Sequence, residues 1–230
     1  YALGEAGANL VIAARKLDRC KEAAAKMEKE LGVKVLPARV DVKETSEIDA
    51  LYDLVMKEFG RVDILVNNSG ATWGAPALEY PIDAWKKVID TNLTGTWYMA
   101  QKAGQIMAKQ NYGRIINLAS LAAFVGAPAE VMDGVAYQAS KAAVAGLTKD
   151  LAIKWAEYNI TVNAIAPGWF PTKMTAWSLD NSEKALLERI PVKRFGGDDE
   201  LKTATLFLAA PGSSYCTGVI LSVDGGWVAQ

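Results

Sequence analysis

The chain has 230 residues, 51% hydrophobic and 22% charged, with 25 Lys and Arg against 26 Asp and Glu for a net charge of −1. That composition provides a buried core and excludes a disordered chain, and the unclustered charge excludes the basic stripe that a phosphate backbone demands, so no nucleic-acid partner is expected. There is no histidine, which removes Ser-His-Asp and Cys-His catalysis and the usual zinc and iron ligand sets, so no metal site is expected.

No apolar run approaches the roughly 20 residues that span a bilayer, and no membrane partner is expected. Cys20 and Cys216 are isolated, without C-x-x-C spacing. They read as free thiols in a reducing compartment, which places the protein in the cytoplasm.

In chain order, "YALGE" reads as the tail of a helix stopped at Gly7, and Leu10 to Ala13 as a short apolar strand. A chain opening inside a helix, without methionine, implies further residues upstream. In "LDRCKEAAAKMEKELG", Cys20, Ala24, Met27 and Leu31 recur at helical spacing up to Gly32. "VKVLPARVDV" is strand-like. "TSEIDALYDLVMKEFG" puts Ile48, Leu51, Tyr52, Val55 and Phe59 on one stripe, with Ser46 and Asp49 as a capping pair. "VDILVNNSG" is an apolar run broken by turn residues, and Pro81 opens a helical pattern reaching about Gln110. Then come the strand "GRIINLAS", the alanine-rich helix "GVAYQASKAAVAGL", the strand "NITVNAIAPG", an irregular segment with helical patches, and the strand "GVILSVDGG".

The strands are continuous Ile/Leu/Val runs, not apolar–polar alternations, which is the pattern of a parallel sheet covered on both faces. With strand and helix taking turns, the expected class is α/β. It is a doubly wound parallel sheet with helices on both faces, a Rossmann fold, in a single domain over 1–230 without linker or repeat.

Such sheets bind ligands beyond the carboxyl ends of their strands. Five clusters fall there: Ala14-Arg15-Lys16, Asp41, Asn67-Asn68-Ser69-Gly70, Ala119-Ser120 and Pro167 to Thr172. Each alone has a bland account as turn chemistry, a cap or punctuation; five at one sheet edge describe a site. On the Pro81 helix, Trp85, Ile89, Asn92, Thr96, Met99 and Ala103 share a stripe, which puts an amide among apolar neighbours. Unpaired, it would cost roughly 1–3 kcal/mol, so it is either a structural hydrogen bond to neighbouring backbone or part of a site. Tyr137 and Lys141 lie four apart on one helical face, as partners in proton transfer or as an ordinary aromatic beside a snorkelling lysine.

Asn92, Ser120, Tyr137 and Lys141, with "NNSG", "PGWFPT" and the closing "TGVILSVDGG", resemble the short-chain dehydrogenase/reductase family along essentially the whole chain. The resemblance implies hydride exchange between a nicotinamide and a carbonyl or alcohol carbon. Tyr137 would be the proton donor, its pKa lowered by Lys141; Ser120 would stabilise charge on the substrate oxygen; Asn92 would hold a water linking Lys141 to solvent. Lys141 would also bond the nicotinamide ribose. Asp41 and its neighbour Val42 would meet the adenine, and Asn68, Ser69 and Gly70 the adenosine ribose. Pro167, Gly168, Phe170 and Thr172 would hold the nicotinamide amide and pyrophosphate.

At Ala14-Arg15 the acidic residue usual in NAD-preferring relatives is absent; Arg15, helped by Lys16, would pair with a 2′-phosphate, favouring NADP(H), with NAD(H) possible if these residues are only a solvated helix start. The family's first strand and glycine-rich turn, about 25 residues, are not in this sequence. Ser69 and Ala119 stand where Ala and Ser are more usual. Ser120 and Tyr137 are 17 positions apart, more than is common in the family; the surplus, "AEVMDGV", is expected beside the substrate. Trp73, Trp169 and Trp177 are expected near the pocket mouth, and Pro171 to Pro191 as a lid.

The leading reading is an NADP(H)-linked ketoreductase in the manner of 3-oxoacyl-carrier-protein reductases and gluconate 5-dehydrogenases, assembled as a homotetramer. Alternatives are an NAD-dependent sugar or polyol dehydrogenase and a non-catalytic nicotinamide-binding regulator.

Overall fold

Strand and helix alternate in the computed structural model, which describes residues 1–230. A short α1 (Ala2–Glu5) leads through Gly7, at φ +88, into β1 (Leu10–Ala14). α2 (Leu17–Leu31) closes on a left-handed Gly32 before β2 (Val35–Arg39), and α3 (Thr45–Phe59) precedes β3 (Ile64–Asn67). The helix expected after Pro81 forms as α4 (Ile82–Ile89) and α5 (Gly95–Gln110), joined by a π-helical turn at Asp90–Thr94. β4 (Gly113–Leu118), α6 (Val135–Trp155) and β5 (Ile160–Pro167) follow. The segment expected to be irregular resolves into α7 (Ala176–Arg189) and α8 (Asp198–Ala209), ahead of β6 (Ile220–Val223).

All strand pairs are parallel, so every carboxyl end points to one edge. Instead of the single sheet expected, there are two pieces, β1–β2 and β3–β4–β5–β6. No strand joins β1 to β3. The pieces nevertheless share one core: Ala38 and Val40 belong to the same apolar cluster as Leu65 and Ile115.

Helices cover both faces. Ile115 packs with Ile48 of α3, Met107 of α5 and Leu151 of α6, whereas its neighbour Ile116 packs with Ala204 and Leu208 of α8. Successive strand residues point to opposite faces, so an unbroken Ile-Ile pair is what a doubly covered strand requires. Each fully buried side chain of this size is worth about 1.5–3 kcal/mol.

The expected capping pair does not form. Helix α3 begins at Thr45, which leaves Ser46 inside the first turn, and Glu47 fastens that end by accepting the Asp41 backbone N–H at 2.7 Å. Asp49 instead reaches α5, where it pairs with Lys102 at 2.7 Å and accepts the Tyr98 hydroxyl at 3.0 Å.

Candidate active site

A cavity of about 890 Å³ opens at the carboxyl edge of β3, β4 and β5. Asn68 and Gly70 leave β3, Ser120 follows β4, Tyr137 and Lys141 project from α6, and Pro167, Gly168, Phe170 and Thr172 continue from β5; all line this cavity. Trp73, Trp169 and Trp177 line it as expected, as do Val131, Met132 and Asp133 of the surplus loop. Ser178 of α7, within the expected lid, lines it too and hydrogen-bonds the Val131 carbonyl at 3.0 Å.

Tyr137 and Lys141 share a face because α6 is continuous from Val135 to Trp155, and the Lys141 Nζ lies 5.6 Å from the Tyr137 ring centroid. Lys141 is buried, and its ammonium donates to the Leu118 carbonyl at 2.6 Å. Burial lowers its pKa to about 8. The Tyr137 phenol is raised above its usual value by burial, opposed by the Ser120 hydroxyl. This departs from the expectation that Lys141 pulls the phenol down: in this pocket desolvation outweighs the lowering by the Ser120 hydrogen bond. Ser120 is buried and its Oγ accepts the Ala122 N–H at 3.2 Å, so it caps a turn while facing the cavity.

Asn92 lies behind this wall, 1% exposed, in the π turn. Its Oδ1 accepts the Ala71 N–H at 2.7 Å, and its Nδ2 donates to the Ala71 carbonyl and to Ser140 Oγ, both at 2.9 Å. The amide thus binds the β3 loop to α6, making the structural hydrogen bonds that one reading required. Pairs missed in the sequence do similar work. Asn67 Nδ2 donates to Asn117 Oδ1 at 2.9 Å, and Asn117 Nδ2 to Thr148 Oγ1 at 3.0 Å, a buried chain joining β3, β4 and α6. Asn67 stands in the strand-end cluster above, Asn117 shows only as a polar residue inside an apolar strand, and Thr148 carries no sequence signal.

Arg15, Asp41, Val42 and Ser69 lie outside the cavity wall. Arg15 is exposed at the end of β1, Val42 is buried beyond β2, and Asp41 pairs with Lys43 at 3.8 Å. Among cavity groups, the ammonium of Lys141 has three hydrogens and one partner in the chain, Leu118. A vicinal diol such as a ribose fits the remaining donors. An ideal Cβ at Gly70 would lie 4.0 Å from Lys141 Nζ, which keeps that approach free of side chain.

Residues 1–228 match a protein-family model described as enoyl-(acyl carrier protein) reductase. The 2-dehydro-3-deoxy-D-gluconate 5-dehydrogenase of Escherichia coli is 38% identical over 203 residues, covering 87% of this chain and 79% of that enzyme. The 3-oxoacyl-[acyl-carrier-protein] reductase of Thermotoga maritima is 38% identical over 195 residues, covering 85% and 78%. Among solved structures, a gluconate 5-dehydrogenase from Burkholderia cenocepacia, in complex with NADP and tartrate, matches with a TM-score of 0.94 at 34% identity. The match covers 100% of this chain and 89% of that one.

Proposed function

The chain belongs to the short-chain dehydrogenase/reductase family, and on that footing we propose that this oxidoreductase reduces a ketone to a secondary alcohol at the expense of NADPH. The observation that carries the reading is the meeting of Ser120, Tyr137 and Lys141 at one cavity wall, with Asn92 bracing it from behind. A bound nicotinamide would supply the hydride. Lys141, with Tyr137, would hold its ribose, and Gly70 with Asn68 and Ser69 the adenosine ribose; Asp41 and Val42 would meet the adenine. Pro167, Gly168, Phe170 and Thr172 would hold the amide and pyrophosphate. Arg15, exposed and unpaired by any carboxylate, would meet a 2′-phosphate, which supports NADP(H) over NAD(H).

Tyr137 gives its phenolic proton to the carbonyl oxygen as that oxygen gains charge, and Ser120 donates a hydrogen bond to the same oxygen. A phenol whose pKa is raised stays protonated at neutral pH, which suits an acid and therefore reduction. Lys141 remains mostly charged below pH 8 and stabilises the tyrosinate left behind. The mixed gluconate and 3-oxoacyl relatives support a keto-sugar or 3-oxoacyl type of substrate.

We assign the protein to the cytoplasm, where Cys20 and Cys216 stay free thiols, and to a homotetramer built on the Pro81 helix (α4 and α5), α6 and the C-terminal strand β6. No helix is long and apolar enough to cross a membrane.

The test is oxidation of NADPH and of NADH by the full-length protein with β-keto esters and keto-sugars. NADPH turnover is expected, Arg15→Asp should invert the cofactor preference, and Tyr137→Phe should lower kcat by at least about 100-fold while cofactor still binds. Activity surviving Tyr137→Phe would remove Tyr137 from the mechanism.

A further inference from the structure

The substrate end of the cavity is walled by three tryptophans, Trp73, Trp169 and Trp177, and by one carboxylate, Asp133. Three elements converge there. The Thr72–Ala75 loop is tied to the surplus loop by the Ala75 N–H, which donates to the Asp133 carbonyl at 2.9 Å. Helix α7 is tied to the same loop by Ser178 on the Val131 carbonyl at 3.0 Å and by Ser182 on the Glu130 carbonyl at 3.2 Å. Asp133 is therefore anchored through its backbone between the segments that carry Trp73 and Trp177.

No side chain pairs with that carboxylate: Asp133 forms neither an ion pair nor a side-chain hydrogen bond within the chain. The wall has two cations. Lys141 gives one hydrogen bond to Leu118 and keeps its remaining donors for the ribose, and Lys173 is exposed at the rim, within the expected lid. No arginine lines the cavity, so a carboxylate substrate lacks the forked partner that usually recognises one. Indole faces and an uncompensated carboxylate are instead the complement of an ammonium ion. One face of the Trp73 ring already holds a cation, the Lys87 Nζ at 5.4 Å from its centroid, so a ligand ammonium would use the opposite face or the ring of Trp177.

We propose that this pocket selects ketones carrying a positively charged nitrogen, held by Asp133 between Trp73 and Trp177, over neutral and carboxylate-bearing ketones of the same size. The proposal rests on the ketone-reductase reading and departs from the keto-sugar or 3-oxoacyl substrates that the relatives support. Asp133 and the two tryptophans are specificity residues and take no part in the proton transfer assigned to Tyr137.

Three six-membered ketones of matched shape test it: 1,1-dimethyl-4-oxopiperidinium, 4,4-dimethylcyclohexanone and 4-oxocyclohexanecarboxylate, assayed with NADPH and NADH. Wild type should favour the cation over its neutral isostere by roughly ten-fold in kcat/KM, carried by KM, with the carboxylate worst. Asp133→Asn should bring the cation-to-neutral ratio near one. A carboxylate used as well as the cation, its use lost in Lys173→Gln, overturns the proposal. So does a ratio unchanged in Asp133→Asn. If no ketone is reduced with either cofactor, the reductase reading fails, and quenching of tryptophan fluorescence still decides charge selection. Saturable quenching by the piperidinium, weakened in Asp133→Asn, supports it; equal quenching by the neutral ketone overturns it.

Discussion

Burial of the Lys141 ammonium with a single carbonyl partner lowers its pKa from 10.5 to about 8. Between those values the folded chain binds fewer protons than the unfolded chain, so this group's contribution to stability rises with pH across that window and is most unfavourable below pH 8. The shift corresponds to about 3 kcal/mol at neutral pH. Lys141→Met, of similar length without the charge, should therefore raise stability at pH 7 by about 1–3 kcal/mol while kcat falls at least about 100-fold. The stability gain should shrink towards pH 10. Denaturant unfolding of both proteins at the two pH values measures this, and a gain independent of pH would refute the assignment. Tyr137, Lys141 and Ser120 were legible in the sequence because spacing on a helix and position after a strand are local properties. The direction of the Tyr137 shift was not, because desolvation depends on what the rest of the chain stacks over the ring. Asp133 was illegible for a related reason: a loop sequence does not say which of its residues faces a cavity.

At the scale of elements, the strand–helix alternation followed from apolar period alone, and most boundaries fell within a residue or two. The break in the Pro81 helix did not. A π turn gives up the regular hydrogen-bond ladder, and here it coincides with Asn92, whose three side-chain bonds go to Ala71 and Ser140, far away in sequence. Helix α5 then starts against the strand edge. A Cβ on Gly95 would come within 2.7 Å of the Val42 carbonyl oxygen and 2.9 Å of the Val42 side chain. Backbone cannot yield as a flexible side chain does. Gly95→Ala should cost about 1–3 kcal/mol in urea unfolding and weaken nicotinamide binding together, since Val42 is assigned to the adenine. A variant with unchanged stability would mean that α5 can move away from β2 freely.

For the whole molecule, several large apolar side chains remain uncovered. Ile153 on α6 is 81% exposed, Phe207 on α8 is 48% exposed, and Tyr215 before β6 is fully exposed. Ile153 lies on the helix, and Tyr215 beside the C-terminal strand, proposed to pair between subunits; Phe207 lies on α8, outside them. Light scattering should give a mass about four times the 24.7 kDa of the chain, and Ile153→Asp should lower it, because an unpaired charge buried at an interface is strongly unfavourable. A monomer in wild type would remove the tetramer from the proposal.

The sequence by itself determined the α/β class, the parallel strands, the exclusion of histidine chemistry and the positions of Asn92, Ser120, Tyr137 and Lys141. Those follow from residue type, period and order along the chain. Only the tertiary structure decided that the sheet stands in two pieces over one core, that Asn92 braces the site through Ala71 and Ser140, and that burial raises the Tyr137 phenol. It also decided that an unpaired carboxylate stands among tryptophans at the substrate end. Each of these depends on contacts between residues distant in sequence, where burial and partner geometry, not residue identity, set the energy.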